Sequence, residues 1–117
     1  MDKKALVNYD GEEDILSIVK SDSINNSARI GDVILDFDID MRIVGVEIMN
    51  AGEFFEAFEL SKEDFKSIKE ARLSVHYSLD WAIVKITLFL NNRSVPIVKD
   101  FSIPSLDAQK QLADVEA

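Results

Sequence analysis

Residues 36–47 read DFDIDMRIVGVE, and this stretch decides how the chain folds. Its aspartates at every second position and its closing glutamate occupy the carboxylate positions of a calcium-binding EF-hand loop. Such a loop needs a helix on each side and a glycine at its sixth place, where this chain has Met41. Both flanks alternate like strands, so the stretch favours a β-hairpin over a calcium loop.

A turn around Asp40–Met41 would bring apolar side chains of the two flanks opposite each other. The predicted cross-strand pairs are Val33 with Ile48, Leu35 with Val46, and Phe37 with Val44. The other face, which holds Ile34, Asp36, Asp38, Ile43, Gly45 and Glu47, is mostly polar. Each apolar side chain is worth roughly 1.5–3 kcal/mol on full burial. We therefore predict a hairpin with one buried and one solvated face.

The polar face of this hairpin raises the question of a metal site. Asp36, Asp38 and Glu47 are weak candidate ligands for a metal ion. The simpler interpretation, which we favour, is a solvated acidic face that discourages aggregation. No residue is predicted to be catalytic or to bind a cofactor, and we expect no cofactor.

The remaining sequence predicts further strands and two short helices. A helical period appears at 51–59, and Ser61 resembles the N-cap of a second helix over 62–71. The predicted strands are Ala5–Tyr9, Asp14–Lys20, Arg72–Leu79, Trp81–Leu90 and Val95–Ile103, with a loop at Ser21–Ser27. The fold class is α+β: an antiparallel β-meander of about six or seven strands, with one or two helices within about 51–71 packed on one face.

A chain of 117 residues suits one domain. We assign residues 1–104 to a single α+β domain, in which 9–58 form a core and 61–104 add further antiparallel strands. Pro96 lacks an amide donor, so it belongs at a sheet edge or a strand end. We expect residues 105–117 to form a weakly ordered or helical tail.

Composition narrows the classes of function. The formal net charge is −9, which repels phosphate backbones and argues against sequence-independent binding of nucleic acid. We expect no nucleic-acid partner. The chain has no cysteine, so disulfides and thiolate chemistry are excluded. The longest apolar run, 81–90, is interrupted by Lys85 and Thr87 and is too short to span a bilayer. We expect a cytoplasmic protein without membrane contact.

The order of residues from Tyr9 to about Phe55 resembles a prokaryotic family called domain of unknown function 2283. The resemblance rests on Tyr9, Asp10, Asp14, Leu16 and Ile18, and in the hairpin on Val33, Ile34, Leu35, Asp36, Asp38, Val44, Gly45, Val46, Glu47, Ile48 and Ala51. Met41 replaces a family glycine, which implies a longer or non-primed turn, and Ser17 replaces a family aromatic. The family has no assigned enzymatic activity, and some of its members resemble the small partner encoded beside a putative toxin, which implies an antitoxin-like role.

The chain has few residues that are suited to catalysis. His76 is the only histidine, and it lies in an alternating segment that is typical of a strand. We therefore predict a non-catalytic protein–protein interaction module, antitoxin-like in the sense of the resemblance. It would form a homo-oligomer, in the first instance a dimer, and would bind a basic protein. A metal- or small-ligand-binding domain is the alternative, and an enzyme of unknown type ranks last.

Overall fold

The computed structural model describes residues 3–104, with side chains from Ala5 onward, and the predicted tail at 105–117 lies outside the described residues. The strands are β1 (Lys3–Asp10), β2 (Ile15–Val19), β3 (Asn26–Ile30), β4 (Val33–Phe37), β5 (Ile43–Ile48), β6 (Ile68–Tyr77), β7 (Trp81–Leu90) and β8 (Ile97–Pro104). Between β5 and β6 lie α1 (Ala51–Phe54), a 3-10 turn (Glu56–Phe58) and α2 (Lys62–Lys66). The described part is therefore mostly β, with two short α-helices.

All eight strands belong to one antiparallel sheet in the order β3-β4-β5-β2-β1-β6-β7-β8. The predicted antiparallel sheet is confirmed, but it has eight strands instead of six or seven. It is not a meander throughout, because β5 pairs with β2 and β1 pairs with β6. The loop after β2 carries the chain across the ends of β5 and β4. Lys20 N donates to Val44 O at 2.7 Å, and Asn25 N donates to Phe37 O at 2.8 Å.

Strand β1 joins two halves of the sheet. Its first residues, Lys3–Ala5, pair with β6, and the remainder, Leu6–Asp10, pairs with β2. Buried side chains from both halves form a single core cluster, which includes Leu35 and Val46 on one half and Leu73 and Ile86 on the other. Their apolar faces must therefore be turned toward each other across a common interior.

The hairpin that the sequence predicted is present, with one correction. Val33 pairs with Ile48 and Leu35 pairs with Val46, as expected, but Phe37 pairs with Ile43 because a bulge shifts the register after Asp36. Residues 39–41 form the loop, closed by a hydrogen bond of 2.9 Å from Asp38 N to Arg42 O. Met41 adopts the left-handed conformation (φ 62) that glycine favours.

Three predicted boundaries were wrong. β3 starts inside the predicted loop at 21–27. This strand was not predicted because its polar residues lack the alternation that marks a strand. The predicted helix at 51–59 is broken after Phe54, and α2 ends at Lys66. Residues from Ile68 onward instead pair with β7. Ladder pairing over ten residues thus prevails over the weak helical repeat beyond Phe65.

Helix α2 begins where its sequence indicates. Ser61 and Asp64 form a capping box, in which Asp64 N donates to Ser61 Oγ at 3.1 Å and Ser61 N donates to Asp64 Oδ2 at 2.9 Å. Asn92 Nδ2 also donates to Asp64 Oδ1 at 2.8 Å. These hydrogen bonds lower the pKa of Asp64 below its ordinary value, with the Ser61 backbone amide contributing most. The cap thereby fastens α2 to the turn between β7 and β8.

No helix in residues 3–104 has both the length and the apolar character that is needed to cross a membrane.

The helices lie at one end of the sheet. Phe54 packs edge-on against Phe101 of β8, with ring centroids 5.5 Å apart, and Phe65 stacks on Tyr9 of β1 at 4.8 Å. The helical segments therefore close one end of the core.

Candidate interaction surface

Two hairpin turns lie together at the end of the sheet opposite the helices. The first, residues 38–42, joins β4 to β5, and the second, residues 78–80, joins β6 to β7. The Tyr77 hydroxyl accepts a hydrogen bond of 2.8 Å from Ile43 N, which ties the end of β6 to the start of β5. The two turns are thus held beside each other although they are far apart in sequence.

The second turn is internally braced. Ser78 N donates to Trp81 O at 2.8 Å, and Ser78 Oγ donates to the same carbonyl at 2.6 Å. Trp81 N in turn lies 3.2 Å from Ser78 Oγ. A turn closed in this way presents its remaining side chains in a fixed direction at little entropic cost.

The side chains presented at this end are large and apolar. Leu79 is 87% exposed, Ile39 is 78% exposed, and Trp81 and Tyr77 are each more than half exposed. We call Ile39, Tyr77, Leu79 and Trp81 the hairpin-tip surface. Scattered exposed apolar residues are ordinary on a protein surface, whereas contiguous ones are typical of interaction sites. These four residues lie in or next to the two turns.

Charged side chains flank the hairpin-tip surface. A cleft of about 300 Å³ beside it is lined by Lys20, Asp38, Arg42 and Tyr77, among others. Asp80 lies in the second turn, next to Leu79. The surface therefore has an apolar centre with a charged border, which is the usual arrangement of a protein–protein interface.

The three candidate metal ligands are not gathered into one site. Asp36 was expected on a solvated face but is 5% exposed, and its Oδ1 accepts a hydrogen bond of 2.8 Å from Ser27 Oγ. Asp38 Oδ1 instead accepts from Asp40 N and Arg42 N, both at 2.9 Å, and so stabilises the turn. Glu47 pairs across the sheet with Ile34 and Ser17. Within residues 3–104, no three acidic or histidine side chains converge to hold a metal.

The burial of Asp36 depends on Gly45, its cross-strand neighbour. A Cβ atom on residue 45 would lie 2.9 Å from Asp36 Oδ2 and 3.3 Å from the Ile18 carbonyl oxygen. Only glycine leaves room there for the carboxylate to lie across the sheet. Gly45 is therefore a point where a side chain closely approaches the backbone.

Tyr9 and Asp14 fasten the β1–β2 turn to the start of α1. Tyr9 Oη donates to Asp14 Oδ1 at 2.6 Å, and the other carboxylate oxygen accepts from Gly52 N at 3.0 Å. Ala51 N donates to the Asp14 carbonyl at 3.0 Å. Burial and then the Asp14 carboxylate raise the pKa of Tyr9 to about 12. We assign this group a structural role.

The Tyr9–Asp14 contact is expected to make the free energy of unfolding fall at alkaline pH. Tyrosine in the unfolded chain has its ordinary pKa of 10.0, whereas folded Tyr9 holds its proton to about 12. The stabilisation is therefore fully present below pH 10 and is lost as the pH rises through 12. We expect Tyr9→Phe to remove this part of the pH dependence, as measured by urea unfolding of both proteins between pH 8 and 12. Parallel pH curves for the two proteins would contradict this assignment.

An acidic cleft lies at the opposite, helical end. It has a volume of about 380 Å³ and is lined by Asp32, Asn50, Glu53, Phe54, Glu56, Ala57 and Lys99. The Lys99 ammonium lies over the Phe54 ring, 5.2 Å from its centroid. Three carboxylates around one lysine give the cleft a negative border.

The hairpin-tip surface was not predicted from the sequence, because Tyr77 and Leu79 were placed inside the predicted strand Arg72–Leu79, whereas β6 ends at Tyr77. A usable signal was present: Leu79 and Ile39 each lie between polar residues inside a turn, where a large side chain has no core to enter. His76 behaves as predicted for a strand histidine, since it is exposed and paired across β7 with Ile83.

The fold is thus an antiparallel β domain whose hairpin motif serves packing. Residues 6–51 match the family described as protein of unknown function DUF2283, so the resemblance seen in the sequence is confirmed for this segment. The chain is also 27% identical over 107 residues to an uncharacterised protein of Methanocaldococcus jannaschii, and the alignment covers 89% of each chain. No solved structure matches the chain.

Proposed function

We propose that this protein is a non-catalytic protein–protein interaction module that binds its partner through the hairpin-tip surface. The single observation that carries the proposal is the exposure of Leu79, Trp81 and Ile39 on turns that are held together by the Tyr77–Ile43 hydrogen bond. Tryptophan and tyrosine are the residues that most often dominate binding energy at interfaces. Turns that are braced in this way lose little entropy on binding.

The chemistry of the chain favours a basic protein as the partner. The net charge of −9 would speed the approach of a cationic protein and would repel nucleic acid. Asp38, Asp40 and Asp80 lie in the two turns, so acidic groups border the apolar centre. The proposed partner therefore has an apolar pocket with lysine or arginine at its rim, and the antitoxin-like role belongs to this proposal. A cytoplasmic location also belongs to it.

The experiment measures binding to one identified partner. The tagged full-length protein is expressed in its native host, and a basic protein that it retains is identified and purified. Its affinity is then measured for the wild type and for a Leu79→Ser/Trp81→Ser variant. We expect the variant to bind at least about 30-fold more weakly, because a single hot-spot residue contributes about 2 kcal/mol or more.

A matched control separates the surface from general loss of apolar area. Val98→Ser removes an apolar side chain that is 42% exposed on β8, away from the two turns, and should leave the affinity unchanged. Trp81 is the only tryptophan, so its fluorescence should shift to shorter wavelength when the partner covers it. Equal affinity of the tip variant and the wild type would overturn the proposal, as would a wild-type protein that retains no basic partner.

A further inference from the structure

The two edges of the sheet differ in how they resist pairing with another strand. β8 forms one edge and carries Lys99 on its inward side, opposite the buried Ile86, with prolines at 96 and 104 at its ends. Inward charges and prolines are the devices by which natural sheets block edge pairing. β3 forms the other edge and has neither, since its residues are Asn26, Ser27, Ala28, Arg29 and Ile30.

A buried carboxylate lies directly behind the β3 edge. Asp36 is 5% exposed, and the Ser27 hydroxyl of β3 donates to it. Among the residues whose side chains are described, no lysine or arginine forms an ion pair with Asp36. A carboxylate that accepts one hydrogen bond from Ser27 has further acceptor positions, so an arginine brought to this edge by a second copy could bind it.

From these observations we infer that two copies of the chain pair along β3 in antiparallel fashion, and that Arg29 of each copy binds Asp36 of the other. A two-fold axis at Ala28 places Ser27 opposite Arg29 of the second copy. Ser27 is itself the cross-strand neighbour of Asp36. Arginine of one copy, serine and aspartate then lie in one row on the same face of the joined sheet.

The distances allow this contact. Two strand spacings separate the Cα atoms of Asp36 and the incoming arginine by about 10 Å. The Ser27 side chain between them is short, and Asp36 Oδ1, to which its hydroxyl donates, has a second acceptor position for the guanidinium. Arg29 is exposed, and its Nε donates to its own Gly31 O at 2.9 Å. The terminal guanidinium nitrogens therefore remain available for a carboxylate.

Charge and side-chain size favour one register for the pairing of the two β3 strands. A pairing centred on Arg29 would place two guanidinium groups opposite each other, which is destabilising. A pairing centred on Ala28 places the smallest side chain of the strand at the axis and Asn26 beside Ile30 of the second copy. The strands of the two copies run in opposite directions, so the hairpin-tip surfaces point away from each other and remain free for partners.

The first test is the mass of the full-length protein in solution. Sedimentation at tens of micromolar should give twice the chain mass of 13.2 kDa. Arg29→Glu, which places a carboxylate against Asp36, should raise the dimer dissociation constant about 100-fold or more. Arg42→Glu makes the same change of charge on an exposed turn residue and should leave the dimer intact. Thermal unfolding establishes that each variant is folded.

A second variant tests the edge itself. Ile30→Lys adds to β3 an inward charge of the kind that Lys99 supplies on β8, and it should also yield monomers. A monomeric wild type would overturn the inference. So would a dimer that survives both Arg29→Glu and Ile30→Lys.

Cross-linking tests the register directly, since the chain has no cysteine of its own. Ala28→Cys places two thiols at the proposed axis, where antiparallel neighbours have Cα atoms about 4.5–5.5 Å apart, within the range for a disulfide. We expect mild oxidation to convert most of this variant to a covalent dimer. Ser102→Cys on β8 should stay monomeric under denaturing conditions. Cross-linking through residue 102 but not through residue 28 would assign the interface to the other edge and refute the inference.

Discussion

Replacing Phe55 by alanine is expected to lower the free energy of unfolding by about 3–5 kcal/mol. Phe55 is fully buried, and its ring lies 5.0 Å from the ring of Phe54 and 5.9 Å from that of Phe65, between centroids. The substitution removes apolar contact area and leaves a cavity where the helical segments close the core. A loss of this size is a large part of the 5–15 kcal/mol by which domains are usually stable.

Urea unfolding followed by circular dichroism measures this effect. Phe58→Ala serves as the control, because Phe58 is only half-buried and its ring lies 6.3 Å from that of Phe55. It should cost clearly less than Phe55→Ala. Equal losses for the two variants would show that the buried position of Phe55 is not what anchors this end of the protein.

Gly45→Ala is expected to cost about 1–3 kcal/mol, the usual range for overpacking. The added Cβ would meet Asp36 Oδ2 at 2.9 Å and the Ile18 carbonyl oxygen at 3.3 Å. The carboxylate is held by Ser27 in a buried position, and the carbonyl belongs to the backbone of β2, so neither moves without cost. Residue 45 is therefore glycine because a larger residue does not fit between Asp36 and β2.

A double-mutant cycle identifies the source of the strain. Asp36→Ala removes the carboxylate that the new methyl group would meet, so the double variant should be less destabilised than the sum of the two single variants. We expect a coupling of about 1 kcal/mol, within the range seen for residues in contact. Strict additivity of the two losses would place the strain at the β2 backbone instead.

The Asp36–Gly45 pair shows which features of the hairpin could be predicted from the sequence and which could not. Period-two alternation predicted the pairs Val33–Ile48 and Leu35–Val46 correctly, because that pattern depends only on the neighbours of each residue along the chain. The same pattern placed Asp36 in solvent. Its burial depends on the absence of a side chain at Gly45 and on Ser27, which belongs to a third strand outside the hairpin.

The sequence by itself determined the local features of this protein: the central hairpin, the cap at Ser61, the long strand at 81–90 and the acidic charge. Only the tertiary structure decided the strand order, the position of β1 between the two halves of the sheet, and the contact of two distant turns through Tyr77 and Ile43. The physical reason is range. Alternation and capping act over a few residues, whereas strand partners are chosen by how two remote apolar faces close one core.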